Sequence, residues 1–230
     1  MLSIGATSAA GSLLPPSARF IPSAAEANPT SKVVLLDVMD TLIVDPFFRG
    51  MHCDVFGCAS MKELFSLKDP DAFIDFECGT ISEDECLERF FKDRRPVDRH
   101  LLRSYLLERY QWIDGMRELL IELQAARVPM AAFSNYPAAW AELVQESTQL
   151  STLAPWAFIS GEQGVRKPDA AAFAAALKAV DRKAEDVIFV DDSKANVEAA
   201  IELGIPSVRF QGAAPLRAAL HEHGLDLSAR

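Results

Sequence analysis

The sequence has no unbroken run of about 18 apolar residues, the length that a membrane-crossing helix requires. It is also short of positive charge. Its 23 Lys and Arg stand against 33 Asp and Glu, a formal net charge of −10. A duplex-binding surface needs the opposite sign, so neither nucleic acid nor membrane is an expected partner. Cysteine is scarce: Cys53, Cys58, Cys78 and Cys86 all fall in one third of the chain, at spacings that fit neither a zinc ribbon nor a finger. With only His52 near them, they read as reduced, mostly buried thiols, and no disulfide framework is expected beside so ample a core. Charge is nearly missing from the first thirty residues, where Glu26 is the one acid and Arg19 the one base among many Ser, Ala and Pro. That is the composition of an organelle transit segment, and residues 1–30 are expected to be one.

What is present is a globular balance. Half of the 230 residues are hydrophobic and 24% are charged, which suits one domain carrying an insertion. From residue 32 onward, short apolar runs alternate with amphipathic segments. Val33-Val34-Leu35-Leu36, Met130-Ala131-Ala132-Phe133, Trp156-Ala157-Phe158-Ile159, Val187-Ile188-Phe189-Val190 and Pro206-Ser207-Val208-Arg209-Phe210 read as strands buried on both faces. Between them lie helical stripes: Met116, Leu119, Leu120 and Leu123, ended by Pro129; Phe173, Leu177 and Val180, opened by Pro168 in the first turn; Val197, Ala200 and Ile201, closed by Gly204. The alternation predicts an α/β fold with a doubly wound parallel, Rossmann-like sheet. Residues 48–112 break it. They hold a capping box at Ser82–Glu85 and helical stripes, and predict an all-helical insertion after the first strand, with the core on 31–47 and 113–230.

In such a sheet, ligands sit at the carboxyl ends of the strands. Asp37 follows the first run, Ser134-Asn135 the second and Asp191-Asp192 the fourth, while Lys167 lies in a loop on the same rim. Clustered carboxylates attract a divalent cation, and oxygen-only ligands suit Mg²⁺. A hydroxyl and main-chain N–H groups at Ser134-Asn135, with Lys167, would hold phosphate oxygens, and Asp37 would serve as nucleophile. Each piece alone is an ordinary cap or turn; three at strand ends and a lysine on the same rim together predict a site.

Asp37-Val38-Met39-Asp40-Thr41-Leu42, Phe133-Ser134-Asn135, Lys167-Pro168-Asp169 and Val190-Asp191-Asp192 resemble, in order, the four motifs of the haloacid dehalogenase-like hydrolase superfamily. The resemblance runs over about residues 32–225. It implies Mg²⁺, held by Asp37, the Met39 main-chain carbonyl, Asp191 and Asp192, and an aspartyl-phosphate intermediate. It also implies that the insertion is a cap which selects the substrate. Asp45-Pro46-Phe47-Phe48, Phe56-Gly57, Met61-Lys62-Glu63-Leu64, Phe90-Phe91-Lys92-Asp93 and Ser134-Asn135-Tyr136-Pro137 are similar to the plant chloroplast flavin mononucleotide hydrolases. This closer likeness implies conversion of FMN to riboflavin in the plastid stroma, the alternative compartment being the cytoplasm.

One position departs from the superfamily pattern. Most of its phosphatases carry a second Asp two residues after the nucleophile, and here that residue is Met39. A thioether carries no proton at neutral pH, and a lost general acid–base costs about 10²–10⁴ in rate. By strand alternation Asp40 would point the other way. Two alternatives follow: a phosphatase for another small metabolite, such as a sugar phosphate or flavin-pathway intermediate, and a catalytically weak phosphatase-like binding protein. Asp191-Asp192 argues against a metal-free dehalogenase. Phe47, Phe48, Phe56, Phe65, Phe73, Phe76, Phe90 and Phe91 cross the insertion, where they either stack on a flavin or form the insertion's own core. Gly50, Gly57 and Asp114-Gly115 are candidate hinges.

Overall fold

Four Val and Leu residues in a row fit a strand covered on both faces. Val33–Leu36 forms that strand, β1, and all four residues are buried. The computed structural model describes residues 32–225 and 227, so the transit-like segment lies outside the described residues. Four more strands follow: β2 (Met130–Ser134), β3 (Trp156–Ile159), β4 (Val187–Asp191) and β5 (Ser207–Arg209). Each lies within one residue of its sequence expectation at either end. Every pairing is parallel, in the order β3-β2-β1-β4-β5. The doubly wound parallel sheet is therefore the observed fold.

Residues 48–112 contain five helices and no strand: α1 (Met51–Asp54), α2 (Met61–Leu67), α3 (Ala72–Glu77), α4 (Glu83–Arg89) and α5 (Arg99–Arg109). The capping box at the head of α4 is closed by Glu85 N to Ser82 Oγ (3.2 Å) and Ser82 N to Glu85 Oε2 (2.7 Å). The sheet connections are α6 (Met116–Ala125), α7 (Ala138–Thr148), α8 (Ser160–Gln163), α9 (Ala170–Val180), α10 (Lys194–Glu202) and α11 (Ala213–Glu222). No helix among the described residues is long and apolar enough to cross a membrane.

Alternation along β1 divides the core. Val34 and Leu36 join the α6 stripe and the insertion, whereas Val33 and Leu35 join Phe133, Phe158, Phe173 and Phe189 on the other face. Two helix expectations are corrected. Pro168 is not in the first turn of α9; it lies in a turn closed by Asp169 N on Arg166 O (2.9 Å), and the helix starts at Ala170. Ile201 does not share the buried stripe of Val197 and Ala200 but is exposed near the end of α10.

The order of the strands positions the site. β1 has β2 on one side and β4 on the other, so the chain leaves β1 and β4 in opposite directions and opens a crevice at their carboxyl ends. Asp37 N donates to Val190 O (2.8 Å), which holds the end of β1 against β4.

Candidate active site

The Lys167 ammonium occupies the crevice with a side chain only 1% exposed. It donates to Asp37 Oδ1 (2.7 Å), Asp191 Oδ2 (2.6 Å) and Phe133 O (2.9 Å), so all three of its donors are satisfied. The Phe133 and Phe189 rings lie beneath it at 4.8 and 5.2 Å. Burial favours loss of the Lys167 proton, but the two carboxylates outweigh that and lift its pKa above the usual ammonium range. Burial pushes the Asp37 carboxyl up to about 7, opposed by Lys167 and assisted by Asp191.

Asp191 is saturated. Besides Lys167, its oxygens accept from Ser193 N (2.8 Å) and from Asn196 Nδ2 (3.0 and 3.1 Å). Asp192 stands at the solvent edge, its carboxyl raised by partial burial and by repulsion from Asp191 and Asp40. One oxygen each of Asp37, Asp191 and Asp192 lie within 4.8 Å of one another. Of this set, Asp192 and the second oxygen of Asp37 make no side-chain hydrogen bond among the described residues.

The β2 loop supplies the other wall. Ser134 Oγ is buried with no partner, and Thr41 Oγ, in the loop after β1, is in the same state. Buried hydroxyls without partners are costly, and an oxyanion would satisfy them. The Asn135 side chain is not available to a phosphate. Its Oδ1 accepts from Lys167 N and its Nδ2 donates to Lys167 O, both at 2.8 Å, so it clamps the lysine loop and leaves only its main chain for a ligand. Asp40 stands at φ +53, and its Oδ1 accepts from Asp45 N and Arg49 Nη2, both at 3.1 Å. Met39 is half-buried beside this turn.

The insertion is fastened beside this edge. Ser160 Oγ donates to Glu77 O (2.7 Å) and accepts from Tyr136 N (2.8 Å), while Glu77 pairs with Arg166 Nε (2.6 Å), next to Lys167. Gly79 meets Gly161 so closely that a Cβ there would collide with the Gly161 carbonyl. The buried hydroxyls of Tyr110 and Tyr136 share a hydrogen bond. Trp140 Nε1 on α7 donates to Glu83 Oε1 on α4 (2.7 Å). Sequence reading missed Thr41, Asn196, Tyr136 and these junction residues. Thr41 and Tyr136 stood inside the quoted motifs, and Asn196 is five residues beyond Asp191, within reach of a helix-start side chain.

The phenylalanines divide. Phe56, Phe76, Phe90 and Phe91 are core, with Phe56 stacked on Phe90 at 4.4 Å, and Phe73 leans on Trp140. Phe48 and Phe65 are exposed on either side of the half-buried Phe47 ring, at 5.0 and 6.2 Å from it. Among the cysteines, Cys58 and Cys86 are buried, Cys78 is half-buried and Cys53 is exposed; all four are free thiols.

A profile of haloacid dehalogenase-like hydrolases matches residues 69–204. The chain is 36% identical over 196 residues to a protein of Arabidopsis thaliana named flavin mononucleotide hydrolase 1, chloroplastic, with 85% of this chain and 79% of that protein covered. It is 29% identical over 153 residues to a sesquiterpene phosphatase of Aspergillus oryzae, covering 64% of this chain and 76% of the relative. A HAD family enzyme from Bacteroides thetaiotaomicron, solved with magnesium and inorganic phosphate, has the same fold, with a TM-score of 0.62 at 19% identity over 79% of this chain and 95% of that one. A profile match to more than half of the sequence, joined to the Arabidopsis likeness over most of it, means that the chain belongs to the haloacid dehalogenase-like hydrolase family.

Proposed function

We propose that the chain is a Mg²⁺-dependent phosphomonoester hydrolase that works through an aspartyl-phosphate on Asp37 and converts FMN to riboflavin and phosphate. The observation that carries this reading is the buried Lys167 ammonium bonded to both Asp37 and Asp191, beside the unpartnered Ser134 hydroxyl. The donor set fits the ion, because it is all oxygen and gathers three acids at one point. Asp192, the Asp37 carboxylate and the Met39 carbonyl would hold it, with Asp191 behind them bracing Lys167. When bound, Mg²⁺ supplies charge neutralisation for the phosphoryl group.

The protein's own groups do the rest. Asp37 attacks phosphorus as the bond to the alcohol oxygen breaks, and water then releases phosphate from Asp37. Lys167 fixes the Asp37 carboxylate by one oxygen and leaves the other for attack. The Ser134 hydroxyl donates to a phosphate oxygen, and Asn135 keeps Lys167 in register through its main chain. Residues 48–112 act as the cap. Phe48 and Phe65 are its exposed rings, and a planar isoalloxazine would cover apolar surface that now faces water. The likeness to the Arabidopsis protein supports FMN, and its chloroplast designation together with the transit-like residues 1–30 supports a plastid location. The likeness to the sesquiterpene phosphatase favours a second reading, a phosphate ester of an apolar alcohol.

Phosphate release from FMN, a sugar phosphate and an isoprenyl phosphate, each with and without EDTA, tests both readings. FMN is expected to be preferred, EDTA to abolish turnover, and Asp37→Asn to lower it by about 10³-fold or more. Undiminished turnover in Asp37→Asn would remove the proposed nucleophile.

A further inference from the structure

If Asp37 is the nucleophile, one proton remains to be supplied. An alkyl phosphate expels an alkoxide, which leaves readily only as a proton reaches it. Met39 has none to give. The acids around the crevice are then eliminated in turn. Asp191 has both oxygens engaged by Lys167, Ser193 and Asn196. Asp40 is ion-paired with Arg49 through the oxygen that also accepts from Asp45 N, on a side chain that solvent reaches. Asp192 belongs to the metal set.

The remaining carboxyl on the loop that leaves the nucleophile is Asp45. It is half-buried. Its Oδ1 accepts from Phe47 N (2.9 Å), capping the short 3₁₀ turn Pro46–Phe48, and its other oxygen makes no hydrogen bond among the described residues. The loop that carries it is held on both sides: Asp45 N donates to Asp40 Oδ1, Val44 N to Gln111 O (2.9 Å), and Ile113 N to Leu42 O (2.8 Å). Asp45 is thus fixed where the outgoing and returning segments of the insertion meet the end of β1. The charges that act on it are Asp40 and Arg49 from its own loop and Asp192 from the end of β4, and it in turn raises the phenols of Tyr110 at the end of α5 and Tyr136 in the loop after β2. Burial, with repulsion from Asp40 and Asp192, pushes the carboxyl up to about 6 against the pull of Phe47 N and Arg49. A group of this kind carries a proton under mildly acidic to neutral conditions and can also give it up.

We propose that Asp45 is the general acid–base of the phosphoryl transfer, in the place that Met39 cannot fill. The proposal rests on the reading of Asp37 as nucleophile. In the first step the Asp37 oxygen–phosphorus bond forms, the phosphorus–alcohol oxygen bond breaks, and the Asp45 proton passes to that oxygen. In the second, the Asp45 carboxylate takes a proton from water, the water oxygen bonds to phosphorus, and the phosphorus–Asp37 bond breaks, which returns Asp45 to its acid form.

The test is dependence on the leaving group. Asp45→Asn keeps an oxygen to cap Phe47 N and loses the proton. The rate of alcohol release in the first turnover should fall by about 10²–10⁴-fold on an alkyl ester such as FMN, yet stay within about threefold on p-nitrophenyl phosphate, whose nitrophenolate departs unprotonated, while steady-state turnover falls on both because the water that frees Asp37 loses its base. Asp45→Ser, which also keeps a capping oxygen, should show the same split, so a fold defect in one variant does not decide the matter. Equal first-turnover losses on both esters, or no loss on the alkyl ester, would overturn Asp45 while leaving Asp37 intact. A wild-type chain that releases no phosphate from either ester would sink the phosphatase reading and this proposal together.

Discussion

At the carboxyl end of the sheet, Lys167 lies between Asp37 and Asp191, and all three side chains are withdrawn from water. At the junction of α4, α5 and α7, the Glu83 side chain is almost as deeply buried, at 5% exposure, but the cations that meet it are different. Arg99 and Arg103 reach it from solvent, with side chains 46% and 29% exposed, at 2.8 and 2.9 Å. Trp140 Nε1 donates to Glu83 Oε1, which Arg103 also reaches at 3.2 Å. Both clusters neutralise a buried carboxylate, yet only the first seals the cation in with it. The sealed layer moves the ionisation of its own members, with Asp37 held near 7 and Lys167 above its ordinary range. The open junction keeps its cations hydrated, which suits a fastening between α4, α5 and α7.

The largest expected effect comes from breaking the sealed layer. Lys167→Met preserves length and removes the charge, leaving two buried carboxylates without a counter-ion. Loss of one partner from a buried pair costs about 3–5 kcal/mol. The deficit should also grow with pH. Without the lysine, the Asp37 pKa climbs further above its unfolded value, so the stability it contributes is present at low pH and lost as pH rises through about 7 and beyond. Urea unfolding at pH 5 and pH 8 measures both effects. A cost under about 1 kcal/mol at pH 8 would mean that water reaches the layer, and the contrast with Glu83 would disappear.

How much of this could be read beforehand depends on the range over which each feature is determined. The strands and the acids that end them were legible, because a parallel strand buried on both faces must be an apolar run and its ligand-facing residue must follow it. Asp37, Ser134, Asp191 and Asp192 stand on one edge for that reason, and Lys167 reaches it from the loop before α9. The clamp made by the Asn135 side chain was not legible, because its partner is the Lys167 main chain, thirty-two residues away, and no local pattern encodes that pairing. Glu77 and Glu83 look like surface acids, the second within a capping box. They are buried by Arg166 and Trp140, which come from remote segments. Ile201 fell outside its stripe because α10 buries a narrow face and the helix is closing there. Sequence shows what a local element needs; it is silent on which remote polar group meets it.

Glu83 offers the intermediate test. Glu83→Gln retains the acceptor for Trp140 and removes the charge. Because Arg99 and Arg103 can turn to water, the expected cost is about 1 kcal/mol or less. Glu83→Ala also orphans the buried Trp140 N–H and should add about 1–3 kcal/mol. Thermal unfolding of the pair separates the hydrogen bond from the ion pair. If Gln and Ala cost the same, the charge carries the junction and it resembles the Lys167 layer after all.

The smallest effect is expected at Arg99. Its guanidinium touches Glu83 at 2.8 Å and Asp84 at 2.7 Å, and Asp84 is itself largely exposed. Arg103 remains on Glu83 when Arg99 is removed, so no buried charge is left bare. Arg99→Ala should therefore cost no more than about 0.5 kcal/mol, the range of exposed ion pairs, and should leave phosphate release unchanged. A double cycle with Arg103→Ala sharpens the point. If the arginines act independently through solvent, the two losses add; if the second loss greatly exceeds the first, Glu83 depends on at least one cation as strictly as Asp37 and Asp191 depend on Lys167.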